Sequence, residues 1–366
     1  MNSSFLFAAA LGVVASFTVA SCEEATGDEI IDHGPHRLLF AGDATAGVLS
    51  QVSSDAANKL KVLMENRFTS DVLSFRRFGE EGKKQDSECP IDSAANAARA
   101  YTFLGGEASY FGILGNDQVL DDFVKTVNSC GIPMKAVGSG EESTKVYALE
   151  GDGSESRAQF ILGTSGLFGT HVLKGDEMEK HDYLVVNAYM LRNLFQRTAL
   201  HAMIVEAQRQ GREIITFVGN PSCINNSQKR LTPIIGISAY LCGTADQFER
   251  IYGIPSTHEL FELFEKATSG SRPWHKAILI SMGDDGAVVI FGGKRYYISE
   301  VSQDFVPGSG DHDVYLGALL YGLINGYTVR QASEMARAVV TDLLSNRDAP
   351  FTPELKAKIQ QIKQSS

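Results

Sequence analysis

An α/β fold built on a doubly wound, mostly parallel sheet is what this sequence of 366 residues predicts, on three observations. Short β-branched and apolar runs alternate with longer amphipathic stretches, the pattern of strands joined by crossover helices. The composition, 43% hydrophobic and 21% charged, suits a chain that buries a large core. No internal repeat or long low-complexity segment breaks the alternation.

In chain order, strands are expected at 37–41, 108–112, 183–186, 213–217, 239–242, 277–281 and 287–291, each a compact apolar run too short for a helix. Helices are expected at 94–104, 118–129, 194–210, 257–268, 313–325 and 329–344, where apolar residues recur at helical spacing. The stretches 51–74 and 145–162 fit the winding less well and are assigned to a small second layer. Within it, Val146 to Glu150, the turn GDGSES and Arg157 to Leu162 read as a β-hairpin. In an α/β protein such an appendage covers the crevice at the carboxyl ends of the strands, so it is a candidate lid.

The ends read differently. Residues 2–22 contain no charged side chain and carry an apolar run from Phe5 to Ala20, so 1–22 reads as a secretory signal peptide. The run is shorter than the ~20 apolar residues of a membrane span, and a signal anchor is the alternative reading. An acidic linker over 23–36 precedes a main domain over 37–352, and 353–366 is a C-terminal helix or tail. The expected location is the secretory pathway, either secreted or in a vesicular or organellar lumen. Cys89, Cys130, Cys223 and Cys242 would permit two disulfides there, but their spacing follows no disulfide framework and buried thiols are the simpler expectation. Asn225-Asn226-Ser227 is a glycosylation sequon on that route.

Charge and ligand-type residues exclude some functions. With 33 Lys and Arg against 44 Asp and Glu, the formal net charge is -11, which argues against a reader of nucleic-acid backbone. The 8 His and 5 Cys include no CxxC or HExxH spacing, so no metal site is expected. A small molecule or a protein is the expected partner. Trp274, beside Pro273 and His275, is expected to be buried ahead of the next strand.

The most informative stretch runs from Val306 through Gly308, Gly310 and Asp313 into an amphipathic helix. A glycine-rich loop entering a helix presents backbone N–H groups to an anion. Here the sequence resembles the ribokinase or PfkB family of sugar and nucleoside kinases, in its adenosine-kinase-like branch: the signature DTxGAGDxFxGGFLxGL aligns without a gap and places its catalytic aspartate on Asp313. Further pieces agree in order: Leu38 to Asp43 as the first strand, Ser93-Ala-Ala-Asn96, Tyr110 to Asp117 with its G-x-D ending, and Ser281-Met-Gly-Asp-Asp-Gly286 as the turn near nucleotide. The resemblance implies a ribokinase-like, doubly wound sheet flanked by helices with a small β lid. It also implies ATP and Mg2+ as cofactors, a nucleoside or sugar as acceptor and Asp313 as the base taking a hydroxyl proton. Gly310, Asp311 and His312 would form the anion-hole loop, Ser281, Gly283 and Gly286 would bind nucleotide, and Asn96 and Asp43 would bind substrate.

The sequence departs from that pattern at several functional positions. The family's G-A-G-D is Gly310-Asp311-His312-Asp313, and its opening D-T is Pro307-Gly308. The Gly-Gly pair that approaches the sugar is Ile91-Asp92, the sugar-gripping aspartate falls on Gly47, or on Asp43 with a shifted alignment, and the N-x-x-E motif is Thr244-Ala-Asp-Gln247, where Asp246 is a substitute acid. A side chain at a close-approach glycine and a carboxylate beside a polyanion both oppose phosphate binding. The expectation is a catalytically impaired pseudoenzyme acting as a ligand-binding or protein-interaction module, with an active ATP-dependent kinase as the alternative. Asp313 read apart from the resemblance is an acid in a helix's first turn, complementing the dipole, and Asp311 and His312 read as capping or solvent-exposed.

Overall fold

The computed structural model describes residues 28–42, 46–52, 83–85, 92–114, 118–138, 145–151, 157–161, 178–191, 194–219, 227–254, 256–298, 310–346 and 351–365. Thirteen strands are named in chain order: β1 (Arg37–Ala41), β2 (Ala46–Val52), β3 (Lys83–Gln85), β4 (Glu107–Leu114), β5 (Met134–Gly138), β6 (Lys145–Gly151), β7 (Arg157–Ile161), β8 (Tyr183–Asn187), β9 (Glu213–Phe217), β10 (Ser238–Thr244), β11 (Ala277–Ser281), β12 (Ala287–Phe291) and β13 (Lys294–Ile298). The helices are α1 (Ser93–Phe103), α2 (Gln118–Ser129), α3 (Leu194–Arg209), α4 (Ser227–Ile235), α5 (Ala245–Tyr252), α6 (Thr257–Thr268), α7 (Asp311–Ile324), α8 (Val329–Ser345) and α9 (Pro353–Gln364).

Nine strands form the main sheet in the order β13-β12-β11-β10-β9-β8-β1-β4-β5. Every pair from β11 to β5 is parallel, and only β12 and β13 run antiparallel at one edge. Central strands such as β8 and β11 are buried along their whole length, which is why they read as unbroken apolar runs. Alternate residues feed two cores. Leu38 and Phe40 of β1 face one side with α1, α7, α8 and α9, while Leu39 and Ala41 face the other with α3, α4, α5 and α6. This is the doubly wound arrangement expected.

A second layer is present as a four-stranded sheet of order β3-β2-β6-β7: it takes in the expected stretch 145–162, while of the expected stretch 51–74 only 51–52 fall in it, within β2, and 53–74 lie outside the described residues. Strands β6 and β7 pair antiparallel, Lys145 opposite Ile161, as the hairpin expected over 146–162. The chain enters this sheet from the carboxyl ends of β1 and β5 and leaves it for α1, so connectivity puts it at the end of the main sheet where ligands of α/β folds sit.

Several elements escape the sequence pattern. β5 and β13 are edge strands with mixed polarity, α4 holds Pro233 inside a short helix, and α5 spans only 8 residues. Helix α7 begins at Asp311, two residues before the expected start. The segment after residue 352 forms α9, whose Leu355, Ile359 and Ile362 join the main core. Residues 28–36 lie along the body, bridged at Ile30 to Thr328 and at His33 to Asn325. Trp274 is not buried as expected: it is 51% exposed, while the adjacent His275 turns inward and places Nδ1 2.8 Å from the Ser238 carbonyl. Cys130 and Cys242 are free thiols, and Cys89 and Cys223 lie outside the described residues. Among the described residues, no helix is long and apolar enough to cross a membrane.

Candidate active site

Two helices meet over the carboxyl ends of the strands. Helix α1 packs on β1, β4 and β8, while α7 packs on β10, β11 and α1. Helix α1 starts at Asp92, a buried N-cap whose Oδ1 accepts the Ala95 N–H at 2.7 Å. Its carboxylate also crowds Gly42, just past the end of β1: a Cβ there would sit 2.5 Å from Asp92 Oδ1 and from the Tyr110 hydroxyl. Asp92 therefore fills the corner where the aligned family pattern has glycine, and its side chain is committed to starting the helix.

Helix α7 starts at Gly310, which has φ +83°. Glycine is required there on two counts, the left-handed backbone and the Asn96 amide group that any Cβ would overlap. The first N–H groups of α7 point back out of its N-terminus toward this corner. Asn96 itself is 2% exposed, and its Nδ2 finds no acceptor among the described residues. A buried donor left unpaired costs about 1–3 kcal/mol, so the corner is chemically incomplete without an oxygen acceptor.

Asp313 stands in the first turn of α7, its amide bonded to the Gly310 carbonyl at 3.0 Å. Its half-buried side chain is hydrogen-bonded to Ser93. Burial pushes its carboxyl up to about 7, the Ser93 hydrogen bond pulls the other way, and the charge of Asp311 adds to the rise. Asp311 is 1% exposed, a buried acid in the helix's first turn, so of the two roles expected for it, capping or solvent exposure, the second is excluded.

His312 does not point into the corner between Gly310 and Asn96. Its Nδ1 lies 2.9 Å from Ser281 Oγ, and a Cβ on Gly283 would lie 3.8 Å from its Cε1. Ser281 ends β11 on the face shared with Leu279 and α7, and its Oγ also accepts the Gly283 N–H at 3.4 Å. The ring thus joins the turn after β11, which Gly286 closes by donating to the Gly283 carbonyl, to the first turn of α7.

The T-x-x-Q segment is a helix start. Thr244 caps α5 and accepts the Gln247 N–H at 3.3 Å, while Gln247 Oε1 accepts the Thr244 N–H at 3.0 Å. This reciprocal capping box occupies both side chains. Asp246 faces solvent and pairs with Arg250 at 2.9 Å. The residues present at this position do not fit a divalent cation: one candidate ligand is an engaged amide, and the one acid points away. Asp43, Pro307 and Gly308 lie outside the described residues, and Gly47 falls in β2.

The structure therefore brings Asn96, Gly310, Asp311, His312, Asp313, Ser281, Gly283 and Gly286 into one neighbourhood. Sequence reasoning missed Ser93, the partner of Asp313, and the tie between His312 and Ser281. It also read Thr244 and Gln247 against a phosphate motif, although S/T-x-x-E/Q is itself a capping signature.

A doubly wound sheet with a small β-sheet appendage and a glycine-capped helix at the strand ends is the ribokinase-like class of α/β protein. The chain belongs to the pfkB family of carbohydrate kinases, whose pattern matches residues 93–343. It is 22% identical over 294 residues to aminoimidazole riboside kinase of Salmonella typhimurium, covering 75% of this chain and 85% of that one. It is 25% identical over 165 residues to the ATP-dependent 6-phosphofructokinase of Thermoanaerobacterium thermosaccharolyticum, a match to 45% of this chain and only 41% of that protein. The adenosine kinase of Sinorhizobium meliloti superposes with a TM-score of 0.73 at 17% identity, covering 90% of this chain and 99% of the other.

Proposed function

We propose that this chain binds a sugar or nucleoside in the strand-end crevice and is strongly impaired as a phosphotransferase. The observation that carries the reading is the first turn of α7, where a buried Asp311 and a half-buried Asp313 meet any anion that approaches the helix N-terminus. Like charges oppose docking of a polyphosphate, and the side chains of Thr244 and Gln247 are spent on a helix cap. The acceptor side is better equipped. Ser93, Asn96 and Asp313 stand together on α1 and α7, and a carboxyl poised at about 7 suits the exchange of a proton with a substrate hydroxyl. ATP, if bound, would supply the transferable phosphoryl group, and the N-terminus of α7 with Asn96 is the part of this chain that would hold its oxygens.

That poised carboxyl also supports a second reading, an active sugar or nucleoside kinase with Asp313 as base. Release of ADP from ATP and Mg2+ across adenosine, other nucleosides and common sugars separates the two, with Asp313→Asn as the blank. The expected result is acceptor binding by calorimetry with no release above the blank. Acceptor-dependent release that vanishes in Asp313→Asn would overturn the impaired reading.

We further propose a secretory route, supported by the uncharged apolar run from Phe5 to Ala20. Expression with a C-terminal tag should yield a product lacking residues 1–22 in the medium or a lumen. An intact N-terminus in the cytosolic fraction would refute this.

A further inference from the structure

A helix N-terminus is an anion site, and in an open α/β sheet ligands lie outside the carboxyl ends of the strands, where the strands' exit turns also lie. In this chain the helix is α7 and the neighbouring turn is the one after β11. That the corner is built for an oxygen acceptor rests on a second observation, the buried and unpartnered Nδ2 of Asn96 packed on Gly310. Between the corner and the turn stands the His312 ring. It is anchored at Nδ1 to Ser281 Oγ, 2.9 Å away, with its Cε1 edge toward Gly283.

We propose that His312 is a stopper: pinned to Ser281, its imidazole fills the gap between the turn after β11 and the first turn of α7, and keeps a nucleoside triphosphate from spanning the two. The inference rests on the phosphate half of the site having been rebuilt, and it names the side chain that decides donor access. The anchor is well made. Ser281 is 1% exposed, so burial limits the room its hydroxyl has to turn from the ring, and its Oγ also accepts a long, weak hydrogen bond from the Gly283 N–H at 3.4 Å. Asp311 and Asp313 flank His312 in sequence and repel the same ligand, but they act by charge, whereas the ring acts by occupancy. Removal of the ring and removal of its anchor must therefore have the same sign of effect.

The test is calorimetric titration of the full chain with ATP and Mg2+. His312→Ala, which empties the gap while keeping a good helix former, should bind at least tenfold more tightly than the wild type. Ser281→Ala, which deletes one oxygen, should tighten binding in the same direction by a smaller factor. The double variant should gain no more than His312→Ala alone, since an unanchored ring and an absent ring share one mechanism. Affinity unchanged or weakened in both single variants would overturn the proposal, and so would strictly additive gains. Should His312→Ala fail to fold, Ser281→Ala decides by itself. Acceptor-dependent ADP release by the wild type would refute the impaired reading and this inference together, whereas unchanged ATP affinity in the two variants of a protein that releases no ADP would refute this inference alone, so the two failures are distinguishable.

Discussion

At Asp313, burial and charge act on the same carboxyl that the fold places in the first turn of α7. Its folded value of about 7 stands above the ordinary 3.8, so between those limits the folded chain holds a proton that the unfolded chain releases. Stability from this group therefore falls as pH rises through that window, and its cost is complete above pH 7. Each unit corresponds to about 1.4 kcal/mol, and solvent at the half-exposed side chain reduces the sum. Asp313→Asn is expected to stabilise the fold by about 1–2 kcal/mol at pH 8 and to change nothing below pH 4. Denaturant melts at the two pH values check this, and a gain of equal size at both would refute the raised-carboxyl account. The position of Asp313 was legible from the sequence, because a glycine-rich loop before an apolar helix is a local signal. Its partner Ser93 was not, because that contact joins two helices some 220 residues apart in the chain.

Among the elements, α5 shows how one local pattern carries two readings. Thr244-Ala-Asp-Gln247 stands where the family pattern has N-x-x-E, yet the structure uses it to start a helix of 8 residues that ends at Gly253 in the left-handed region. Short helices depend on their caps, because the first four N–H groups have no partner within the helix. Thr244→Ala should cost about 1 kcal/mol in stability. It should leave ATP affinity within twofold of the wild type if the cap is the whole role of Thr244, and a larger loss would assign the residue to the phosphate site. Strand β13 escaped the sequence pattern for a physical reason. β13 is covered on one side only, and its burial alternates along Lys294–Ile298, so it lacks the continuous apolar run that marks β11.

Across the whole molecule, the segment before β1 ties together strands that are far apart in sequence. Asp32 accepts the Tyr183 hydroxyl at 2.8 Å and the Tyr240 hydroxyl at 3.3 Å, and lies 3.2 Å from His36 Nε2 and 3.6 Å from Lys276 Nζ. Burial opposes its charge, but hydrogen bonds from the Tyr183 hydroxyl and the His33 amide, with the His36 imidazole close by, prevail and hold the carboxyl at about 2. A depressed value means stability that is present above the ordinary carboxylate range and lost as pH falls toward 2. Asp32→Asn should therefore lose about 1–2 kcal/mol at pH 7, with the difference vanishing near pH 2. Equal melting of the two proteins at pH 7 would remove this cluster from the account of stability. At the other terminus Lys363 of α9 donates to the Leu104 carbonyl at the end of α1 and to the Tyr321 hydroxyl at 2.9 Å, which closes the same core.

The sequence by itself determined the alternation of strands and helices, the two-sided burial of the central strands, the hairpin of the small sheet and the loop that leads into α7. Each of these is written in neighbouring residues, through apolar periodicity and turn chemistry. Only the tertiary structure decided that Asp311 is buried, that Asn96 lacks an acceptor beside Gly310 among the described residues, and that His312 turns to Ser281. Burial and most of these pairings are properties of residues brought together across 31 to more than 200 positions of chain, and no local pattern encodes which side chain fills the space between two elements.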